Sequence, residues 1–457
     1  MSQVFAKASD KAKDLHCVRA SEMDADMAIL SDDAKAFVTR TGFTASSGEI
    51  LVLPEGSGAD ALIGLGPGED PMAFGGAAYY LEACDWTISG LPDALDPTRV
   101  MIAFAMGSYR FDRYKKSSRA PARLVAIDGA DAAEATRIAQ SIFLARDMVN
   151  TPAEDMGPQG IQAAVEAVAD QYGATVKVTQ GDQLLADNYP MIHAVGRAAD
   201  EEPRLIELEW GDKNAPRLAI IGKGVSFDSG GLDIKSAVGM RLMKKDMGGA
   251  ANALALTRLV MDAKLPVRLH LLISAVENAI SGNAFRPGDI INSRAGLTVE
   301  IDNTDAEGRL VLGDALARAV EEECDLVLDF ATLTGAARIA LGPDVAPFYT
   351  DDDEMAEAIA TGGTNTGDTV WRMPLWDGYD SQLDGTISDL KNTGDGAMAG
   401  SVTAALFLRR FVKDACWVHF DIFAWTPKDK PGRPAGGEML GSRAAWDALK
   451  ARYGSDQ

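Results

Sequence analysis

The sequence predicts an α/β protein with a small N-terminal α/β domain joined by a helix to a larger α/β domain. The larger domain's central sheet is expected to be mostly parallel and covered by helices on both faces. Three observations predict this. The chain has 457 residues, too long for one ordinary hydrophobic core. Beyond residue 150, apolar stretches of strand character (203–210, 217–222, 267–276, 297–302, 325–331 and 417–422) alternate with helical periodicities (160–172, 248–263, 308–323 and 402–413). Such alternation implies parallel strands connected by crossover helices. Between the two parts, residues 131–149 read as a helix that Asn150-Thr151-Pro152 stops, since the residue before a proline disfavours helical backbone. The domains are therefore set at 1–130, a linker helix at 131–150, and 151–457.

The first part holds short apolar runs at 50–53, 62–65, 100–104 and 124–127, separated by glycine, proline and helical stretches, and no chemistry-bearing motif. Apolar residues make up 47% of the chain and charged residues 24%, the balance of a soluble globular protein. No apolar run reaches the length of a membrane span. The segment Met1-Ser2-Gln3-Val4-Phe5-Ala6-Lys7 lacks the apolar centre of a signal peptide. Cys17, Cys84, Cys324 and Cys416 are scattered without paired or metal-binding spacing. Reduced thiols and a cytoplasmic location are the expectation. With 44 basic against 67 acidic residues the net charge is −23, which disfavours a nucleic-acid partner and favours cationic substrates. The most basic stretch, 110–123 around Lys115-Lys116, reads as a solvated loop.

The densest chemistry lies in Asn303-Thr304-Asp305-Ala306-Glu307-Gly308-Arg309-Leu310. Asp305 and Glu307 are two apart, so on extended backbone both carboxylates project to one side. Leu297-Thr298-Val299-Glu300-Ile301 alternates like a strand upstream, and Leu310, Leu312, Leu316 and Val320 carry helical spacing downstream. Gly308 reads as the hinge between them. Strand-to-helix junctions are where open α/β sheets place ligands. Taken alone, Asp-x-Glu is also compatible with a solvated acidic turn.

A second segment runs Gly222-Lys223-Gly224-Val225-Ser226-Phe227-Asp228-Ser229-Gly230-Gly231-Leu232-Asp233-Ile234-Lys235, after the apolar strand at 218–221. It lacks the order of a phosphate-cradling loop, and Phe227 stands where a dinucleotide fingerprint needs its third glycine. What remains is a glycine-rich loop holding Lys223, Asp228 and Lys235. A third segment, Met243-Lys244-Lys245-Asp246-Met247-Gly248-Gly249-Ala250-Ala251, opens a long helix. Asp246 is there either an N-terminal cap or another converging acid. Asp228, Asp246, Asp305 and Glu307 crowded together would repel one another without cations. Oxygen donors with no neighbouring histidine suit Mg²⁺, Mn²⁺ or Zn²⁺. His16, His193, His270 and His419 lie apart from these motifs and read as structural.

On these residues the chain resembles the leucyl aminopeptidases of the cytosol aminopeptidase type. The signature Asn-Thr-Asp-Ala-Glu-Gly-Arg-Leu runs unbroken at 303–310. The likeness extends over 222–231, 244–251, Glu277-Asn278, Arg286-Pro287-Gly288-Asp289, Ala331-Thr332-Leu333-Thr334-Gly335-Ala336 and Asp389-Leu390-Lys391-Asn392, and spans roughly 145–445 in the family's order. It implies a metallo-aminopeptidase with two divalent ions per subunit, Mn²⁺ or Zn²⁺, and a larger domain that carries the catalysis. Lys223 and Asp246 would serve the readily exchanged ion, Asp228 and Glu307 would bridge both, and Asp305 would hold the tighter one. An amine ligates only when neutral, and an adjacent divalent cation disfavours the ammonium form. Lys235 and Arg309 would be catalytic, Lys235 at the developing oxyanion and Arg309 holding a bicarbonate. The bland alternative for Arg309 is plain neutralisation of the acids.

The resemblance further implies a water activated by two cations, attack on the first peptide bond, and a first-residue pocket lined by Met243, Thr332, Leu333 and Gly335. An apolar, leucine-like N-terminal residue is expected to be preferred over Asp or Glu. Peptides are the expected substrates and a homohexamer the expected assembly. Two stretches depart from the family pattern: Gly436-Gly437-Glu438-Met439-Leu440-Gly441-Ser442-Arg443 and Asp395-Gly396-Ala397-Met398-Ala399-Gly400. Both bear on specificity, and Glu438 would tilt preference toward basic side chains if it faced the pocket. The competing functions are a dipeptidase such as a Cys-Gly hydrolase, and a DNA-binding accessory protein on a peptidase fold, since some relatives bind DNA.

Overall fold

The computed structural model describes residues 4–7, 9, 11–396 and 398–454. Residues 1–3 of the amino-terminal stretch considered above, Ala397 of the 395–400 stretch and residues 455–457 lie outside them. The chain divides into two compact units, Met1–Phe143 with Thr426–Gly436, and Leu144–Trp425 with Gly437–Gln457. Residues 426–436, expected within the second domain, group with the first unit.

The first unit is built on a six-stranded sheet in the order Phe5–Ala6, Arg123–Val125, Asp85–Ser89, Lys13–Val18, Ala61–Gly64, Ile50–Val52. Only the Ile50–Val52 edge runs antiparallel. Leu15, Ile63, Phe74, Trp86, Phe104 and Leu124 fill its core. The apolar run at 100–104 is helical, inside Pro97–Ser108. Asp96 starts that helix by accepting the N–H groups of Thr98 and Arg99, with Pro97 in the first turn.

The second unit carries an eight-stranded sheet ordered Val370–Arg372, Ala346–Tyr349, Trp417–Asp421, Leu326–Ala331, Arg217–Asp228, Arg268–Asn278, Arg204–Trp210, Thr175–Gln180. The four strands from Trp417–Asp421 to Arg268–Asn278 are mutually parallel, and antiparallel pairings flank them. Arg217–Asp228 is the spine. It runs well beyond the 217–222 anticipated from apolar character, so Lys223 and Asp228 lie on the strand and not in a loop. The reason is packing. A Cβ at Gly222 would stand 2.6 Å from Ala250 Cα, and one at Gly224 2.8 Å from Ser274 O. These glycines admit a close helix on one side and a close strand beside them. Helix Gly248–Asp262 faces Gly222, whereas the next residue, Lys223, faces the start of helix Gly308–Ala319. Successive strand residues point to opposite faces, so the sheet is covered on both.

The strand anticipated at 297–302 does not join this sheet. Thr298–Glu300 pairs with Ile290–Asn292 and Leu390–Lys391 in a small sheet of its own. The acidic signature is therefore delivered to the edge of the main sheet from outside. All four cysteines are free. Among the described residues no helix is long and apolar enough to cross a membrane.

Candidate metal centre

Three chain segments converge at the carboxyl ends of the central parallel strands. From Arg217–Asp228 come Lys223, buried, and Asp228, 3% exposed, at the strand's last position. Gly230 and Gly231 then take φ of +88° and +64° and turn the chain back, which brings Lys235 to the same place. Lys235 Nζ sits 2.8 Å from Asp228 Oδ2 and also against Asp305 Oδ1.

The second segment is the short 3₁₀ turn Met243–Met247 that leads into helix Gly248–Asp262. Asp246 belongs to that turn and is not the helix cap: Met247 occupies the cap position without any side-chain capping bond. Gly248 and Gly249 let the turn approach the neighbouring strands, since a Cβ at Gly249 would lie 2.2 Å from Phe330 O. Asp246 is thereby held 2.7 Å from Lys223 Nζ through Oδ2, while its Oδ1 accepts Thr332 Oγ1 at 2.9 Å.

The third segment is the acidic signature. Asn278, fully buried, donates to Asp228 Oδ1 at 2.9 Å and to Thr304 O at 3.1 Å, tying this loop to the central strand. Asn392 splints it from the other side: its Oδ1 accepts the N–H groups of Asp302 and Asn303, and its Nδ2 donates to Asn303 O at 2.7 Å. Glu307 ends 3.0 Å from Lys223 Nζ. Gly308 opens helix Gly308–Ala319 in ordinary helical backbone and is no hinge. It is glycine because a Cβ there would stand 2.6 Å from Lys223 Cε.

Asp228, Asp305 and Glu307 each present a carboxylate oxygen, and the three lie within 4.8 Å of one another. Lys223 and Asp246 stand directly beside them. Buried Glu307 Oε2 has no hydrogen-bond partner among the described residues. An orphaned carboxylate oxygen is costly in a protein interior unless a cation faces it. Burial, reinforced by the nearby charge of Asp228, holds Glu307 up to about 8 and Asp305 up to about 6. Burial alone would depress Lys223, but Asp246, Glu307 and Asp228 reverse that and raise it above the lysine range. The donor set of carboxylate oxygens and one amine, with an unused buried oxygen, fits hard or borderline divalent cations.

Arg309 is buried, donates from Nη1 to Asn392 O at 2.7 Å, and leaves Nε without a hydrogen-bond partner among the described residues. Burial pulls it down to about 10, against the opposing pull of Glu307 and Asp421. Thr332 is fixed between Asp246 and Lys223, whose Nζ donates to Thr332 O at 3.0 Å. Met243 is half-buried, and Gly335 is exposed at the start of helix Gly335–Leu341. Leu333 packs its side chain against the hydrophobic core, and its N–H donates to Asp421 Oδ1 at 3.1 Å. Asp421 also accepts Thr334 N–H, Thr334 Oγ1 and Ser401 Oγ, so it shapes the whole 332–335 turn.

Asn278, Asn392 and Asp421 carry no sequence signal of a role of their own. The two asparagines fall inside matched segments, but nothing local marks them as splints. Glu438 does not present a free carboxylate to any substrate: it is 3% exposed and paired with buried Arg146 at 3.0 Å. The expected tilt toward basic side chains loses its basis. The histidines have polar neighbours elsewhere, His419 on Asp329, His270 on Arg217 and Glu207, His16 on Ser89, and His193 beside Asp182.

The fold and site thus define an α/β protein with a lysine-bearing carboxylate cluster suited to cations at the carboxyl edge of its sheet. Comparison with known proteins agrees and is more specific. Residues 143–444 match the catalytic domain of the cytosol aminopeptidase family, and 14–128 match the M17 aminopeptidase N-terminal domain. A probable cytosol aminopeptidase of Syntrophotalea carbinolica is 38% identical over 92% of this chain and 90% of its own length. One from a Picosynechococcus species is 37% identical over 86% of each. The crystal structure of cytosol aminopeptidase from Coxiella burnetii superposes with a TM-score of 0.94, at 43% identity, over 99% of this chain and all of that one. The bottromycin maturation enzyme BotP, in complex with Mn, gives a TM-score of 0.85 at 31% identity over 97% of this chain and 100% of its own. The chain belongs to the cytosol aminopeptidase family and is a peptidase hydrolase of the aminopeptidase type.

Proposed function

We propose that this aminopeptidase removes the N-terminal residue of peptides with two divalent ions, Mn²⁺ or Zn²⁺, held by Lys223, Asp228, Asp246, Asp305 and Glu307. The observation that carries this is the convergence of Asp228, Asp305 and Glu307 carboxylate oxygens within 4.8 Å of one another, with buried Glu307 Oε2 lacking a hydrogen-bond partner among the described residues. Such ions, when bound, acidify water and polarise a carbonyl oxygen. The chain's own groups supply the rest. Lys235, tethered by Asp228 and Asp305 at the mouth of the cluster, donates a hydrogen bond to the oxygen of the scissile carbonyl as charge develops there. Arg309, whose Nε has no hydrogen-bond partner among the described residues, would hold a bicarbonate that serves as proton acceptor. The substrate's free α-amine anchors at the cluster and limits cleavage to the first bond. Thr332, Leu333 and Gly335 of one turn and Met243 of the turn Met243–Met247 are assigned to the first side chain, suited to a leucine-like stem.

The assembly is proposed to be a homohexamer whose enclosed sites admit peptides and exclude folded proteins, working in the cytoplasm. Support for this is family membership alone. Hydrolysis of leucine amide beside its N-acetylated counterpart tests the function: the free amine is cleaved and the blocked one is not. Equal cleavage of both would refute an aminopeptidase. Light scattering on the same sample tests the assembly, and a fully active monomer would refute it.

A further inference from the structure

The carboxylate cluster leaves one cationic pair unused. Lys245 has a side chain only 7% exposed, and its sole ion pair among the described residues is with Asp246 Oδ1 at 3.7 Å, beyond hydrogen-bond distance. The ammonium lies 5.2 Å from the centre of the Phe423 ring, and Arg338 Cζ lies 5.0 Å from the centre of the same ring. Arg338 is exposed on helix Gly335–Leu341 and has no ion pair among the described residues. These groups border the turn assigned to the first side chain. Thr332 Oγ1 meets the same Asp246 Oδ1 that Lys245 approaches, and a Cβ at Gly335 would lie 3.8 Å from Arg338 Nη2. A cation-flanked ring therefore stands beside Thr332 and Gly335, with a nearly buried ammonium that has donors to spare. Lys245 Nζ makes no hydrogen bond among the described residues, and an acceptor on a ligand would engage its donors.

We propose that Lys245, supported by Arg338, determines specificity for the first side chain, favouring residues tipped with a carboxylate or amide oxygen over basic residues. The apolar stem of a glutamate or glutamine lies along the Phe423 ring and its tip accepts from Lys245. A lysine or arginine at that place meets like charge. This inference rests on the aminopeptidase reading above and adds the group that sorts its substrates. It runs against the chain's overall negative charge, because selection acts at contact distance and the long-range field is screened. The competing role for Lys245 is neutralisation of Asp246 alone.

The test uses the full chain loaded with Mn²⁺ and fluorogenic amides of leucine, glutamine, glutamate, lysine and arginine. The native enzyme is expected to show kcat/KM for glutamate and glutamine at least about tenfold above lysine and arginine, the scale of one charge-assisted hydrogen bond. Lys245→Met should collapse the glutamate-to-lysine ratio by about tenfold or more, and Arg338→Gln by a smaller factor in the same direction. A Lys245→Met variant that loses rate equally on every substrate would assign Lys245 to neutralisation and overturn the proposal. If that variant does not fold by circular dichroism, the native profile and surface variant Arg338→Gln decide: a native preference for lysine over glutamate, or a ratio unmoved in Arg338→Gln, overturns it. Failure of the native enzyme on the leucine amide itself would instead sink the aminopeptidase reading.

Discussion

The side chain of Lys223 crosses Gly308 so closely that a Cβ on Gly308 would stand 2.6 Å from Lys223 Cε and 2.7 Å from its Nζ. The glycine of the acidic signature is thus a clearance for a lysine some eighty residues earlier. Gly308→Ala should push Lys223 away from Asp246 and Glu307, lower bound metal, and cost about 1–3 kcal/mol as overpacking. Thermal unfolding and elemental analysis of the purified variant check this. Unchanged metal content with unchanged stability would show that Lys223 can move aside freely.

Asp305 and Lys235 touch, yet separate roles are expected of them. Asp305→Asn should lower metal content together with rate. Lys235→Ala should retain metal and lose about 10²–10³ in kcat, the usual scale for one oxyanion donor. Metal-to-protein ratios measured beside kcat distinguish them. Equal loss of metal from both variants would make Lys235 a support for Asp228 and Asp305 rather than a catalytic group.

Much of this cluster was legible in the sequence because its side chains sit in compact motifs. Asp305 and Glu307 announce themselves by spacing, and Lys223, Asp228 and Asp246 by their place near strand ends and helix starts. What escaped were relations across the fold. Gly308 reads as a hinge locally and proves to be a contact; Asp246 reads as either a cap or a converging acid, and only the fold decides for the buried partner of Lys223. Glu438 reads as a free charge until Arg146, 292 positions away, is seen to hold it. The alternation of strands and helices found the parallel centre of the sheet, but could not show that 297–302 belongs to a separate small sheet, since pairing partners are not written in local periodicity.

Away from the site, the strand Arg204–Trp210, next to the edge strand of the sheet, carries a carboxyl held low. Burial would raise Glu207, but His270, Arg318 and Lys177 outweigh it and draw the carboxyl from 4.5 down to about 2. A depressed carboxylate contributes stability above its unfolded value, and that stability is lost as pH falls through the folded one. Urea midpoints should therefore drop between about pH 4.5 and pH 2, with up to ~3 kcal/mol due to this group. Glu207→Gln should flatten the slope in that window. An unaltered slope would mean that Glu207 is not held ionised by its three neighbours.

Lys223, Asp228, Asp246, Asp305 and Glu307 are proposed to hold the ions on which hydrolysis depends. The most direct test is leucine amide hydrolysis by chelator-treated protein, with metal content verified by elemental analysis, before and after addition of Mn²⁺. Metal-free protein should be inactive, and activity should return as two ions bind per chain. Full activity in protein shown to be free of metal would contradict a metal-dependent hydrolysis at this cluster.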